Sequence, residues 1–162
     1  EICEVKNKDL IKKNAELAKI IWNDHFVPII GQKQVDFMVE KFQSEKAMTN
    51  QIKNDGFNYY LLKENENYFG YFAITFEKDY LFLSKFYLLK SYRGRGFSKK
   101  VMNFIQKKGK EKNLYKIQLT CNKYNLDTLK IYEKLGFINK GEIIKDIGDG
   151  FIMDDFLFEK EI

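Results

Sequence analysis

The spacing of apolar positions along this 162-residue chain changes several times, and each change marks an element. Residues 1–6 alternate apolar and polar, as a short strand does. From Asn7, a residue suited to a helix N-cap, the positions Leu10, Ile11, Ala15, Leu17, Ala18, Ile21 and Trp22 recur on one helical face. That spacing predicts a helix to about Asp24. Pro28 and Gly31 interrupt it. A second helix is expected over 32–42, and a third, weaker one after Ser44. The period then falls to two. Segments 57–63, 68–76 and 80–89 are rich in Tyr, Phe, Leu and Ile and are separated by the polar stretches 64–67 and 77–79, which reads as a three-stranded antiparallel meander. After Gly96 the helical period returns with Phe97, Val101, Phe104 and Ile105. Segment 114–121 is a strand with Ile117, Leu119 and Cys121 on one face. Asn125 is expected to cap a helix whose apolar side is Leu126, Leu129, Tyr132 and Leu135, closed by Gly136. A last hairpin, 137–147 with 151–159, turns through Gly148-Asp149-Gly150. Strands joined through helices usually lie parallel with a right-handed crossover. The expected fold class is mixed α/β around one sheet.

Composition narrows the class. Apolar residues make up 44% and aromatics 16%, enough for a core and incompatible with disorder. One proline and ten glycines exclude collagen-like sequence. No apolar run approaches the roughly 18 residues of a membrane helix, so no membrane partner is expected. Residues 1–7 lack the layout of a signal peptide. Cys3 and Cys121 cannot build a disulfide framework and read as reduced core thiols of a cytoplasmic protein. No repeat or linker divides the chain, so a single domain, 1–162, is expected.

Charge points to one place. Net charge is +5, yet segment 80–110 holds no acidic residue and nine cations, Lys85, Lys90, Arg93, Arg95, Lys99, Lys100, Lys107, Lys108 and Lys110, while the remainder nets −4. A local positive field suits an anionic ligand. The only two arginines are Arg93 and Arg95, whose planar guanidinium groups suit phosphate. Strand, Arg93-Gly94-Arg95-Gly96-Phe97-Ser98, then helix is a phosphate-cradling order: glycines admit close approach and the first helical turn points its amides outward. A Walker loop is absent, and a dinucleotide fingerprint fails at Lys99, where it needs glycine. What remains is a coenzyme A pyrophosphate site or a glycine turn that only joins strand to helix.

These residues resemble a known family. Arg93-Gly94-Arg95-Gly96-Phe97-Ser98 is similar to the Q/R-x-x-G-x-G/A signature of the GNAT N-acetyltransferase superfamily. Asn125-Leu126-Asp127-Thr128-Leu129-Lys130-Ile131-Tyr132-Glu133-Lys134-Leu135-Gly136-Phe137 is similar to its N-x-x-A-x-x-x-Y-x-x-x-G-F signature. Ser98 stands where Gly or Ala is usual, and Thr128 where Ala is. A weaker likeness at Ile21-Trp22, Ile29-Ile30 and Leu83-Ser84-Lys85 extends toward polyamine acetyltransferases. The resemblance implies a GNAT-like fold: a mostly antiparallel central sheet with a splayed parallel pair, flanked by about four helices. It further implies acetyl-CoA as co-substrate and no metal. The backbone of Phe86, Tyr87 and Leu88 would pair with the pantetheine arm. Arg93, Gly94, Arg95, Gly96, Phe97, Ser98 and Lys99 would form the pyrophosphate loop, Asn125 would contact the cofactor, and Tyr132 would lie by the thioester sulfur as catalytic proton donor.

The implied reaction is direct acetyl transfer to a primary amine, with a small acceptor such as a polyamine favoured. A backbone amide near Leu88 would stabilise the oxyanion. An alkylamine is neutral about once in 2,500 molecules at pH 7, so the enzyme must bind the neutral form or supply a base. The acid-free stretch offers no carboxylate, so either one comes from elsewhere, with Glu40, Glu77, Asp154 and Asp155 as candidates, or water relays the proton. Strand alternation lets at most one of the last two point inward. His25 either lines the acceptor pocket or caps its helix, and Lys107, Lys108, Lys110 and Lys112 read as a solvated helix end. An acyl-CoA sensor without catalysis is the alternative, followed by a basic nucleic-acid-binding domain, which does not explain the glycines; no nucleic-acid partner is expected. Monomer and homodimer both remain open.

Overall fold

The computed structural model describes all of residues 1–162, which fold as two compact units: Glu1–Thr75 with Lys85–Phe97, and Phe76–Ser84 with Ser98–Ile162. Seven strands follow the order β1-β2-β3-β4-β5-β7-β6 in a sheet with one parallel pair, β4 with β5. Six helices accompany them rather than about four.

The first unit opens with β1 (Ile2–Glu4) and α1 (Lys8–His25). Asn7 caps α1 as its sequence position suggests, its side chain accepting from the Leu10 amide at 2.9 Å. The break at Pro28 and Gly31 is itself a one-turn helix, α2 (Val27–Ile30), because proline is well tolerated in a first helical turn. Next come α3 (Gln32–Phe42) and α4 (Glu45–Asn54), the latter capped by Ser44. Strands β2 (Asn58–Glu64) and β3 (Asn67–Phe76) pair antiparallel, and β1 lies against β2. One core of this unit gathers Leu17, Ala18 and Ile21 of α1, Met48 of α4, and Tyr59, Leu61, Tyr71 and Ala73 of the sheet.

In the second unit β4 (Leu81–Leu88) begins with Leu81 opposite Ile117 and Phe82 opposite Gln118 of β5 (Lys116–Asn122). Helix α5 (Phe97–Glu111) precedes β5, and α6 (Leu126–Lys134) follows it. The hairpin β6 (Ile138–Gly148) and β7 (Phe151–Glu161) returns so that β7 lies beside β5, from Lys116 opposite Glu161 to Asn122 opposite Asp155. Its turn uses positive φ at Gly148, Asp149 and Gly150. One expectation for this unit fails: Leu126, placed on the apolar side of α6, is 63% exposed. In α5, Met102 and Gly109 join Val101 and Ile105 in the buried face. A methyl group at Gly109 would sit 3.3 Å from the Leu114 carbonyl, so small size is what lets the chain turn back into β5.

Candidate active site

In the first unit β4 ends at Leu88, a 3₁₀ turn spans Lys90–Tyr92, and the glycine loop runs into α5. Gly70 of β3 sets where that strand end lies. A Cβ there would come within 2.5 Å of Leu88 Cδ2 and 2.8 Å of the Tyr87 carbonyl oxygen, so only glycine admits this approach. The Leu89 amide donates to the Phe69 carbonyl at 2.8 Å, fixing the same register. Gly94 and Gly96 adopt φ of 75° and 83°, and a Cβ on either would meet nothing within 4 Å. Conformation rather than crowding demands glycine here, and the loop leaves open space beside its backbone. The first turn of α5 carries no acidic residue, so its dipole faces no competing anion of its own.

Both guanidinium groups turn to protein partners. Arg93 donates to the Leu88 carbonyl through Nε at 3.2 Å and Nη2 at 3.0 Å, and its Nη1 lies 3.3 Å from His25 Nδ1. Arg95 pairs with Glu64 at 2.9 Å and lies over the rings of Tyr92 and Phe97. Tyr92 stacks on Phe69 at 4.4 Å, so the loop rests on an aromatic pile. His25 therefore sits beside the arginine at the end of β4, packed edge-on against Phe26.

Lys85 corrects the charge reading. Counted with the cations, it is instead buried. Its Nζ donates to the carbonyl of Phe42, the last residue of α3, to Gln51 Oε1 at 3.0 Å and to the Tyr59 hydroxyl. Burial alone pushes its ammonium down to about 7, so at neutral pH it adds only about half a charge. With Arg95 on Glu64 and Lys108 on Glu111, the positive field is weaker than nine cations imply.

In the second unit Asn125 starts α6 but does not cap it through its side chain. Asn7 and Ser44, with ψ of 167° and 161°, accept from helix amides; Asn125, at ψ 66°, aims its amide group elsewhere. It is buried, and only its carbonyl takes the helical bond from Leu129. Tyr132 is buried among Phe137 and Phe158, and Lys160 Nζ closes α6 by donating to the Leu135 carbonyl at 2.6 Å. Glu40 and Glu77 are exposed. Asp154 Oδ1 pairs with Lys123 at 2.5 Å, and Lys123 also holds Glu142 at 3.0 Å. Asp155 is buried, as alternation requires when its neighbour points out. Cys3 and Cys121 are both free thiols, and burial, aided by the Asp155 charge, pushes Cys121 up to about 12. Sequence reasoning missed Gly70 and the burial of Lys85. A lone strand glycine was the available signal for the first, and period-two alternation with buried Leu81 and Leu83 was the signal for the second.

An open glycine loop leading from a strand into an acid-free helix start is a frame for holding an anionic ligand. The sequence matches the Acetyltransferase (GNAT) family over residues 15–137, and the chain belongs to that family. An uncharacterized N-acetyltransferase from the pepI 3′ region of Lactobacillus delbrueckii subsp. lactis is 24% identical, across 100% of this chain and 97% of the relative. The fold is similar to PaiA N-acetyltransferase from Thermoplasma acidophilum, crystallised with coenzyme A, with a TM-score of 0.82 at 17% identity over 100% and 98% of the two chains. It is also similar to a point mutant of spermidine N-acetyltransferase SpeG from Vibrio cholerae, with a TM-score of 0.66 at 14% identity over 99% and 92%. No helix is long and apolar enough to cross a membrane.

Proposed function

We propose that this protein transfers the acetyl group of acetyl-CoA directly to a primary amine, a small acceptor such as a polyamine. The observation that carries this is the loop at Gly94 and Gly96: both glycines are left-handed, both border open space, and the chain then enters α5. Membership of the acetyltransferase family, and solved folds of the same kind that hold coenzyme A, support the same reading. The family match draws on both units, which supports one N-acetyltransferase domain over residues 1–162. Two unpaired thiols support a reducing, cytoplasmic setting.

In this reading the main-chain amides from Gly94 to Lys99 grip the pyrophosphate. Arg93 and Arg95 shape that loop through Leu88, His25, Glu64 and the aromatic pile rather than by reaching for phosphate with their side chains. Phe86, Tyr87 and Leu88 offer backbone to the pantetheine arm, and Gly70 holds them in place. Asn125, at the start of α6, contacts the cofactor. Tyr132 supplies the proton that the departing sulfur needs.

The test is isothermal calorimetry with coenzyme A, followed by thiol release from acetyl-CoA in the presence of polyamines, amino acids, aminoglycosides and peptide N-termini. Wild-type protein should give heat, and thiol should appear with at least one amine class. Gly96→Ala, strained by roughly 1–2 kcal/mol at its positive φ, should lose most of the binding heat while remaining folded. Undiminished binding by that variant would move the anion site elsewhere.

A further inference from the structure

We propose that Asp155 is the acceptor-binding carboxylate: it holds the substrate ammonium and takes its proton as nitrogen attacks. This rests on the amine-acetylation reading above. Of the four acids the sequence left open, Glu40 and Glu77 lie in solvent and Asp154 is tied to Lys123. Asp155 is the most deeply buried of the four, only 5% exposed. It lies opposite Asn122, the last residue of β5, at the carboxyl end of the strand that enters the parallel pair. Ligands of sheets with parallel strands gather at such ends. Three residues further on, Asn125 begins the helix that carries Tyr132.

The surroundings hold a charge without cancelling it. Thr120 hydrogen-bonds the carboxylate, Cys121 is a neutral thiol, and Asn122 faces it from β5. Across β6 its partner is Ile143, and the adjacent Glu142 is engaged by Lys123. Lys123, on the turn after β5, makes its short contacts to Asp154 and Glu142 instead. Burial, with a smaller push from the Asp154 charge, raises the Asp155 carboxyl to about 6 against the opposing effects of Thr120 and Lys123. The group is thus ionised at neutral pH, yet about two pKa units closer to an alkylammonium than an ordinary aspartate.

Proton accounting closes. The new C–N bond forms as the C–S bond breaks. One ammonium proton passes to Asp155 and on to water, and a second leaves nitrogen as the amide forms and balances the one gained by the departing sulfur.

Asp155→Asn keeps shape and the Thr120 partner. It should lower kcat/KM for primary alkylamines such as spermidine by 100-fold or more. Transfer to an arylamine, already neutral at pH 7, should fall by at least tenfold less than transfer to spermidine, and coenzyme A calorimetry should be unchanged. The limb of the wild-type pH profile near 6 should vanish in the variant. Carboxyl ¹³C NMR of the wild-type protein, with the signal assigned by its loss in Asp155→Asn, should show spermidine lowering the midpoint of Asp155. Alkylamine turnover within threefold of wild type would overturn the inference, as would equal loss of turnover and coenzyme A binding, which marks a structural role. If wild-type protein neither binds coenzyme A nor releases thiol with any amine, the acetyltransfer reading falls. The NMR titration then decides alone, and a midpoint unmoved by spermidine rejects Asp155 as an ammonium site.

Discussion

Lys85→Met isolates the effect of a buried charge on the fold. In the native protein the lysine titrates at about 7, against 10.5 unperturbed. Above 10.5 it is neutral in both states and costs nothing. As pH falls the unfolded chain binds the proton first, so folding is increasingly disfavoured until the native group also protonates near 7, and below that the penalty is constant. Evaluating this between pH 6 and pH 9 gives a gain in stability of about 3 kcal/mol from this one side chain as pH rises. Few other shifted groups intrude on the window. Asp155 changes below about 6, Cys121 moves up to about 12, and the Tyr59 and Tyr71 hydroxyls are raised well above 10. Methionine keeps the length of the stem. The polar groups it abandons retain one another, because the Tyr59 hydroxyl donates to Gln51 Oε1 at 2.5 Å and Gln51 Nε2 donates to the Phe42 carbonyl at 3.2 Å. Urea unfolding at a series of pH values measures the difference between variant and wild type, in which titrations common to both cancel. Relative to wild type the variant should be most favoured at pH 6, and that advantage should shrink by about 3 kcal/mol toward pH 9. A difference that does not change with pH would refute a lysine titrating near neutrality.

Two further predictions concern the site. Gly70→Ala places a methyl group against the Tyr87 carbonyl and Leu88, so it should cost about 1–3 kcal/mol of stability in chemical unfolding and weaken coenzyme A binding by displacing the end of β4. Tyr132→Phe preserves the packing on Phe137 and Phe158 and should lower kcat by roughly 10-fold or more while leaving coenzyme A calorimetry nearly unchanged. Unchanged turnover would remove the proton-donor role.

Much of the architecture was legible because it is local. Helix faces, the meander, the glycine loop and the last turn depend on neighbours within a few residues, and the strands lie within two residues of their expected bounds. The two signatures were legible for the same reason: a left-handed glycine before a helix and a tyrosine on a helix face are written in short spacing. The side-chain capping expectation for Asn125 failed: it stands at the N-cap position, but at ψ 66° it makes no side-chain cap bond, and no residue type announces that angle.

Sequence alone therefore determined the fold class, the family and the glycine loop between β4 and α5. Tertiary structure decided which charges are real. Lys85 meets acceptors 43, 34 and 26 residues away along the chain, and loses much of its charge because those segments fold over it. Asp154 and Asp155 are adjacent and chemically identical, yet pleating turns one to Lys123 and buries the other. Ionisation depends on distance and solvent exclusion, which are properties of packing between remote segments, whereas periodicity is a property of the chain itself.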